Sequence, residues 1–254
     1  MTVTELLMSL TPTLAHAWID RWDRQQEGYL PDRELMFAVI ADAVAANADR
    51  PDPVVLDVAC GPGSLGARIR ERLPQARVIG IDADPVLLEL ARTAYGFELV
   101  DHNLADPAWA AGLPAGQVDA IVSTTALHWL YSDQLAALYR QAAQLLRPGG
   151  ILLNGDDMAT HATDIDQLHE AIGTRQLERE GVTDRENWAD WWNAITAEPE
   201  LATAVAEREI RRWEHPSDSG TTYEEHLNLL RAAGFRTAGS IWQYGRRHIV
   251  AAVS

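Results

Sequence analysis

Short apolar runs alternate along the middle of the chain with segments whose apolar residues recur at helical spacing. The runs are rich in β-branched and other apolar residues, which is typical of strands buried on both faces. They lie at 54–58, 77–82, 97–100, 118–123 and 151–156. Helical spacing is clear between them at 65–73 and 132–146. Strands that alternate with helices in this way predict an α/β fold, with helices on both faces of a mostly parallel sheet.

Three parts of the chain depart from this alternation. Residues 1–50 carry helical spacing, and residues 157–220 interrupt the order of strands and helices. A helix is then predicted at 223–233, followed by an antiparallel pair of strands at 236–243 and 248–253. The whole pattern predicts a doubly wound, seven-stranded, mostly parallel sheet with N-terminal helices. It also predicts a helical insertion after the fifth strand.

A glycine-rich turn follows the first predicted strand. Gly61, Gly63 and Gly66 fit the G-x-G-x-x-G spacing, in which missing side chains let the backbone approach a nucleotide. Asp57 lies within the preceding strand, at a position that dinucleotide-binding strands normally keep apolar. A buried carboxylate is costly unless a positive group or hydrogen bonds satisfy it. The ammonium of the amino-acid part of S-adenosylmethionine would be such a group.

The segment Asp57-Val-Ala-Cys-Gly-Pro-Gly63 resembles the first motif of the class I S-adenosylmethionine-dependent methyltransferases. The turn Arg147-Pro-Gly-Gly150 and the segment Ala-Ala-Gly-Phe235 are further similarities to that family. The resemblance covers about residues 50–156 and 222–253. It implies the Rossmann-like methyltransferase fold and a small-molecule acceptor. It also implies S-adenosyl-L-methionine as the cofactor, with S-adenosyl-L-homocysteine as the product.

The resemblance further implies which residues contact the cofactor. They come from the strand ends and from the N-terminal helices, where Arg33 would pair with the carboxylate of the methionine part. The set is Asp57, Ala59, Gly61, Gly63, Asp82, Ala83, Asn103, Leu104, Thr124, Tyr29 and Arg33. A surface Arg33 and a packed Tyr29 are the alternative interpretation of the last two.

Two of these positions concern the nucleoside part, Asp82 from the spacing of the residues and Asn103 as the resemblance implies. Asp82 ends the second strand 19 residues after Gly63, close to the spacing expected for an acid that accepts both ribose hydroxyls. Sites for NAD use the same acid, so Asp82 indicates a nucleoside ligand without choosing the cofactor. Where the family often has Asp-Leu-x-Asp, this chain has Asn103, whose amide oxygen can accept from an adenine N–H. Asp101 competes for that role.

His128 is the candidate catalytic residue. The loop 124–129 follows the fourth strand, and ligands of parallel sheets bind beyond the carboxyl ends of the strands. His128 is the one residue of this loop that can take a proton near neutral pH, which would suit a hydroxyl acceptor. An acceptor that is already an anion needs no base. A structural histidine fixed beside Trp129 is the alternative.

The resemblance divides the chain into three parts. Residues 1–50 would form an N-terminal helical lid, and residues 51–156 with 221–254 would form the cofactor-binding α/β domain. Residues 157–220 would form an inserted helical cap over the acceptor. Four tryptophans in the insertion would line an acceptor pocket or form a small core of the cap itself. They are Trp188, Trp191, Trp192 and Trp213.

Composition narrows the choice of partners. The chain has 254 residues, of which 47% are hydrophobic, which suits one large α/β domain or a domain with an insertion. Its formal net charge of -16 disfavours a nucleic-acid substrate, because an acidic surface repels phosphates. We expect a cytoplasmic monomer or homodimer that does not bind membranes. The chain opens without a basic-then-apolar leader and has no apolar run of about 18 residues.

Several chemistries are disfavoured by the residues present. All 21 basic residues are Arg, so a lysine base or a Schiff base is excluded. Cys60 is the one cysteine and cannot form an internal disulfide. Asp156 and Asp157 resemble the acidic pair of the metal-dependent O-methyltransferases, but those enzymes also have an acid after the fourth strand, where this chain offers Ser123, Thr124 and Thr125. We therefore expect no metal site.

Methyl transfer from S-adenosylmethionine to a small molecule, with oxygen favoured as the acceptor atom, is the function we expect. One alternative is a protein of this fold that senses or binds a ligand without turnover, because the cofactor motifs would be the same. The other is an NAD-dependent oxidoreductase. Asp57 argues against it, as does the lack of an obvious Tyr–Lys or His–Asp pair for hydride transfer.

Overall fold

The computed structural model describes residues 9–111, 113, 118–181, 186–211 and 219–254. These ranges contain seven strands that form one sheet. The strands are β1 (Val54–Val58), β2 (Arg77–Asp82), β3 (Glu98–Asp101), β4 (Val118–Thr124), β5 (Leu146–Asp157), β6 (Thr237–Tyr244) and β7 (Arg247–Val253). Their order across the sheet is β3-β2-β1-β4-β5-β7-β6.

The sheet confirms the predicted seven-stranded, doubly wound arrangement. β1 pairs in parallel with β2 on one side and with β4 on the other. β7 runs antiparallel to both β5 and β6, which confirms the predicted antiparallel pair at the end of the chain. Because the order reverses between β1 and β4, their carboxyl ends border the crevice in which open parallel sheets bind ligands.

Helices cover both faces of the sheet. The described residues form α1 (Pro12–Gln26), α2 (Arg33–Asn47), α3 (Ser64–Arg72), α4 (Pro85–Tyr95), α5 (Ser132–Leu145), α6 (Thr163–Glu180), α7 (Trp188–Ile195), α8 (Ala202–Ile210) and α9 (Tyr223–Ala232). Apolar side chains of α2 and α3 pack on one face, and those of α5 and α9 pack on the other. None of these helices is long and apolar enough to cross a membrane.

A third core joins the N-terminal helices to the insertion. Trp18 of α1 meets Trp191 of α7 edge to face, with ring centroids 5.9 Å apart. Trp191 and Trp192 are buried among side chains of α1, α4 and α8. These two tryptophans therefore belong to a core shared with α1 and α4, rather than to a core of the insertion alone. Trp188 is exposed, and Trp213 lies outside the described residues.

β5 begins earlier than the sequence pattern predicts. The pattern predicts a strand that starts at residue 151, whereas β5 already pairs Leu146 with Val118. The turn at 147–150 lies within the strand, where the β4–β5 ladder shifts its register and Gly149 has a φ of +76°. The shift lets the chain keep its strand pairing through a segment that local turn residues would otherwise end.

Gly80 of β2 lies in close contact with the glycine turn and with β3. A Cβ built at Gly80 would lie 2.8 Å from Cys60 Sγ and 2.8 Å from Leu99 Cδ2. Both distances are shorter than a normal contact. By contrast, a Cβ at Gly239 in the edge strand β6 would meet no atom within 4 Å.

We expect Gly80→Ala to lower the free energy of unfolding by about 1–3 kcal/mol, because the added methyl overpacks this contact. Urea unfolding of the two variants measures the effect, with Gly239→Ala as the control. A Gly80→Ala variant that also carries Cys60→Ala should recover part of the loss, since the nearest sulfur is removed. Equal midpoints for Gly80→Ala and Gly239→Ala would contradict this account of the packing.

Candidate functional site

The turn after β1 brings the start of α3 to the carboxyl edge of the sheet. Ala59, Gly61 and Gly63 all have positive φ, of 54°, 54° and 87°. A positive φ is unusual for alanine, so the backbone at Ala59 is strained. α3 starts at Ser64, directly after the turn. The amide groups of its first turn have no partners within the helix, and they suit a negatively charged ligand group.

Asp57 is buried in β1 and is held by the protein itself. Its Oδ2 accepts a hydrogen bond of 3.0 Å from the Gly66 amide of α3. Burial raises the pKa of Asp57 to about 7, although the Gly66 amide and the nearby Arg33 charge act in the opposite direction. Because the ordinary pKa of an aspartate is near 4, Asp57 stabilises the fold most at low pH and less as the pH rises towards 7. Through its hydrogen bond to the Gly66 amide, Asp57 also has a structural role, because it joins β1 to the start of α3.

Asp82, at the end of β2, is tied to the same turn. Its Oδ2 accepts from the Gly61 amide at 2.8 Å, and its Oδ1 accepts from the Asp84 amide at 2.9 Å. Desolvation raises its pKa to about 6. Each carboxylate oxygen has a second lone pair, so Asp82 can still accept from a ligand hydroxyl. Ala83 follows directly, and its carbonyl accepts from Arg211.

The residues considered for adenine lie around the end of β3. The exposed Asn103 uses its Oδ1 to accept from the Ala105 amide at 2.9 Å. Leu104 is buried in the core on the α5 side. Asp101 forms an ion pair with Arg211 of the insertion, at 2.6 Å for each of two oxygens. Both polar candidates therefore have partners within the chain, although a ligand can still compete for their oxygens.

Arg33 lies beside the glycine turn, held by a carboxylate that joins three helices. Asp23 of α1 accepts from Arg33 Nη1 of α2 at 2.6 Å and from Ser64 Oγ of α3 at 2.6 Å. It also accepts from Arg68 at 3.1 Å. Arg33 is buried, and its Nε has no hydrogen-bond partner among the described residues. Asp23 was not a predicted residue, and no local pattern marks it.

Tyr29 and Arg33 do not share one environment. Tyr29 is 61% exposed, and its hydroxyl accepts from the Trp188 amide at 3.2 Å. It lines a cleft of about 150 Å³ at the end of β5, together with residues of α6 and of the β6–β7 turn. The structure therefore directs Tyr29 towards the insertion, whereas Arg33 faces the glycine turn.

His128 is paired with a carboxylate that the sequence analysis did not connect to it. His128 Nδ1 lies 2.9 Å from Asp156 Oδ1, and the His128 amide donates to Asp156 Oδ2 at 3.4 Å. Asp156 is buried, whereas the His128 side chain is 27% exposed. A carboxylate accepts, so Nδ1–H points to Asp156 and Nε2 is the nitrogen that can take a proton. This arrangement suits a general base.

The neighbouring strands β4 and β5 bring these two residues together. Thr124 ends β4 opposite Gly155 of β5, and the Thr125 amide donates to the Gly155 carbonyl at 2.8 Å. The sequence pattern indicates for Asp156 only an acidic pair with Asp157. The signal that could have found it is the order of the sheet, because residues after β4 meet residues at the end of the parallel neighbour β5. Across the described ranges, no group of three or more His, Cys, Asp or Glu could hold a metal ion.

Comparisons with known proteins show similarity to methyltransferases over part of the chain. Residues 55–150 match a family described as a methyltransferase domain. A trans-aconitate 2-methyltransferase of Azoarcus sp. (strain BH72) is 37% identical over 52% of this chain and 49% of its own length. A malonyl-[acyl-carrier protein] O-methyltransferase of Hahella chejuensis is 30% identical over 49% of this chain and 44% of its own length. The chain therefore spans about half the length of these curated relatives.

The solved structures agree at the level of the fold. DesVI of Streptomyces venezuelae superposes with a TM-score of 0.59 at 17% identity, covering 92% of this chain and 97% of DesVI.

The His128–Asp156 pair weakens the case against an oxidoreductase, because the chain does contain a His–Asp pair of the kind that hydride transfer uses. The matched domain at residues 55–150 and the names of the two relatives nevertheless favour a methyltransferase over an oxidoreductase. By its glycine turn, its sheet order and these matches, the chain is similar to the class I S-adenosylmethionine-dependent methyltransferases, with a methyltransferase domain matched over residues 55–150.

Proposed function

We propose that the protein transfers the methyl group of S-adenosyl-L-methionine to an oxygen atom of a small-molecule acceptor. The observation that carries the proposal is the hydrogen bond between the Gly61 amide and Asp82. This bond holds the glycine turn against Asp82, the residue proposed to bind the ribose. Both lie at the carboxyl edge of the sheet, near the point between β1 and β4 where the strand order reverses. The net charge of -16 favours a small acceptor over a nucleic acid.

The cofactor roles follow the order of the strand ends. Asp57 would face the ammonium, Arg33 the carboxylate, Asp82 the ribose, and Asn103 the adenine. Ala59, Gly61, Gly63, Ala83, Leu104 and Thr124 would provide backbone and apolar contacts. The buried Arg33 Nε, which lacks a partner among the described residues, fits a ligand carboxylate beside the turn. Tyr29 is better placed for the acceptor side, where it meets the insertion.

The protein's own part in the reaction is mostly positioning. When bound, the cofactor supplies a methyl group already activated by its sulfonium. The chain must hold the acceptor in line with that group and exclude water. We assign α1, α2 and the insertion to this task, as lid and acceptor cap. Of these, α1 and the insertion meet in the shared core of Trp18, Trp191 and Trp192, whereas α2 packs on the sheet.

His128 would take the proton of an acceptor hydroxyl at Nε2. The Asp156 carboxylate keeps the ring oriented and stabilises the imidazolium that forms. This arrangement favours oxygen over an acceptor atom that needs no base. One relative is itself named an O-methyltransferase.

The first test is calorimetric binding of S-adenosylmethionine, S-adenosylhomocysteine and NAD. We expect the two adenosyl ligands to bind and NAD not to bind. Asp82→Ala should weaken binding about tenfold or more, because two charge-assisted hydrogen bonds are lost. Asp133→Ala on the exposed surface of α5 is the matched control. If neither adenosyl ligand binds, the proposed cofactor is wrong. Binding without turnover on a panel of acceptors would favour a sensing protein instead.

The raised pKa of Asp57 predicts a pH dependence of binding. A ligand ammonium requires the ionised carboxylate, and the pKa of about 7 leaves most of Asp57 protonated at pH 6. The affinity for S-adenosylhomocysteine should rise roughly ten- to twentyfold between about pH 6 and pH 7.5, about eightfold from Asp57 and about twofold from Asp82. Asp57→Asn should reduce this rise to the roughly twofold effect that Asp82 can still supply. The same slope in wild type and Asp57→Asn would show that Asp57 does not face the ammonium.

Removal of the imidazole tests the base. With a hydroxyl acceptor, His128→Ala should lower kcat about 10²- to 10⁴-fold and leave the Kd of S-adenosylhomocysteine unchanged. Asp156→Asn keeps a hydrogen-bonding group but loses the charge, so we expect a smaller loss of kcat. Transfer of labelled methyl to matched phenol, hydroxy-acid and carboxylate acceptors measures the effect. A preserved kcat in His128→Ala would end the base assignment and point to an acceptor that is already an anion.

A further inference from the structure

Two arginines at the end of α8 join the insertion to the loops after β2 and β3. Arg208 Nε donates to Asp84 Oδ2 at 2.6 Å. Arg211 donates to the Ala83 carbonyl at 2.7 Å and to both oxygens of Asp101 at 2.6 Å. Arg211 is further held by Glu207, one turn earlier on α8. The insertion is therefore attached to the nucleotide side of the sheet as well as to α1.

The two arginines differ in the kind of contact they make. The Arg208 guanidinium lies 3.8 Å from the ring centroid of Trp192, in the core shared by α1, α4, α7 and α8. It binds Asp84, whose carboxylate also caps α4 by accepting from two amides. Arg208 thus anchors α8 to the start of α4. Arg211 reaches further, to the strand ends themselves.

The position of Arg211 matters because of the sheet register. β2 and β3 are parallel neighbours, and Asp82 pairs with Asp101 at their carboxyl ends. The Arg211 guanidinium bonds to the residue after Asp82 on one side and to Asp101 on the other. It therefore spans the interval between the ends of β2 and β3. If the proposed function holds, the adenosine part of the cofactor lies along this same edge.

We propose that Arg211 is a cofactor-binding residue supplied by the insertion, which closes over the adenosine part and slows its release. This inference rests on the proposed function, since it needs an adenosyl ligand at the ends of β2 and β3. A guanidinium is planar and stacks well on aromatic rings, so it suits the face of a purine. None of the residues assigned above to the cofactor comes from the insertion.

The ion pair between Arg211 and Asp101 can break and form again, because both side chains are partly exposed to solvent. The side chain of Arg211 is 23% exposed and that of Asp101 is 44% exposed, so water can replace their ion pair. The paired geometry nevertheless gives a defined closed position, because both oxygens of Asp101 are used. Arg208 remains as the anchor while Arg211 lets the ligand in or out. The closed form couples the insertion to the cofactor site.

The experiment compares Arg211→Ala with wild type for two ligands, S-adenosylhomocysteine and 5′-methylthioadenosine. The second ligand keeps the nucleoside but lacks the amino-acid part. Arg211→Ala should weaken both ligands by a similar factor of about tenfold, and stopped-flow mixing should show faster dissociation of S-adenosylhomocysteine. Arg211→Lys keeps the charge but not the planar fork, and we expect it to recover only part of the affinity.

Arg175→Ala is the matched control, because Arg175 is an exposed arginine of the same insertion that pairs with Glu178. Thermal unfolding of each variant checks that the fold is intact. Should Arg211→Ala fail to fold, Arg211→Lys carries the comparison. Affinities and dissociation rates equal to those of Arg175→Ala would overturn the proposal. A loss confined to S-adenosylhomocysteine would also overturn it, since the effect would then lie at the amino-acid end.

Asp101→Asn provides a second, independent test, because it removes the charge that holds the Arg211 guanidinium in place. If the ion pair only positions Arg211, Asp101→Asn should accelerate dissociation less than Arg211→Ala. The double variant should then be no worse than Arg211→Ala alone. Fully additive effects would contradict a shared role. A wild-type protein that binds neither ligand would instead refute the proposed function, and this outcome is distinct from a failure of Arg211 alone.

Discussion

The site depends on two carboxylates that clamp the turn between β1 and α3. Asp57 holds the Gly66 amide from within β1, and Asp82 holds the Gly61 amide from the end of β2. Desolvation of both acids is costly, which is why their pKa values rise to about 7 and about 6. The backbone amides offset part of this cost, and the glycine turn is fixed before any ligand arrives.

The helices around this turn are connected by charge as well as by apolar packing. Asp23 joins α1, α2 and α3, and the tryptophans of α1 and α7 join the N-terminal helices to the insertion. A buried carboxylate with three donors is satisfied only when all three helices are in place. The N-terminal helices and the insertion are thus parts of one structure around the ends of the strands.

The proposed acceptor side differs in character from the proposed nucleotide side. The proposed nucleotide side is built from backbone amides and acids that bind one another within neighbouring segments. The proposed acceptor side contains a partly exposed imidazole, His128, oriented by a buried acid, Asp156. The glycine turn and its acids form a fixed binding surface, whereas His128 is an ionisable group near solvent. This combination suits a reaction in which the protein mainly positions the reactants and accepts one proton.

Local sequence determined the order of strands and helices, the glycine turn and the acids Asp57 and Asp82, because periodicity and turn chemistry act between near neighbours in the chain. It also indicated His128, from its place after β4. It did not reveal that Asp156 orients His128, that Asp23 joins three helices, or that Trp191 packs against α1. Nor did it separate Tyr29 from Arg33, or pair Arg211 with Asp101. These contacts join residues far apart in the chain, so only the sheet order and the packing of its helices could decide them.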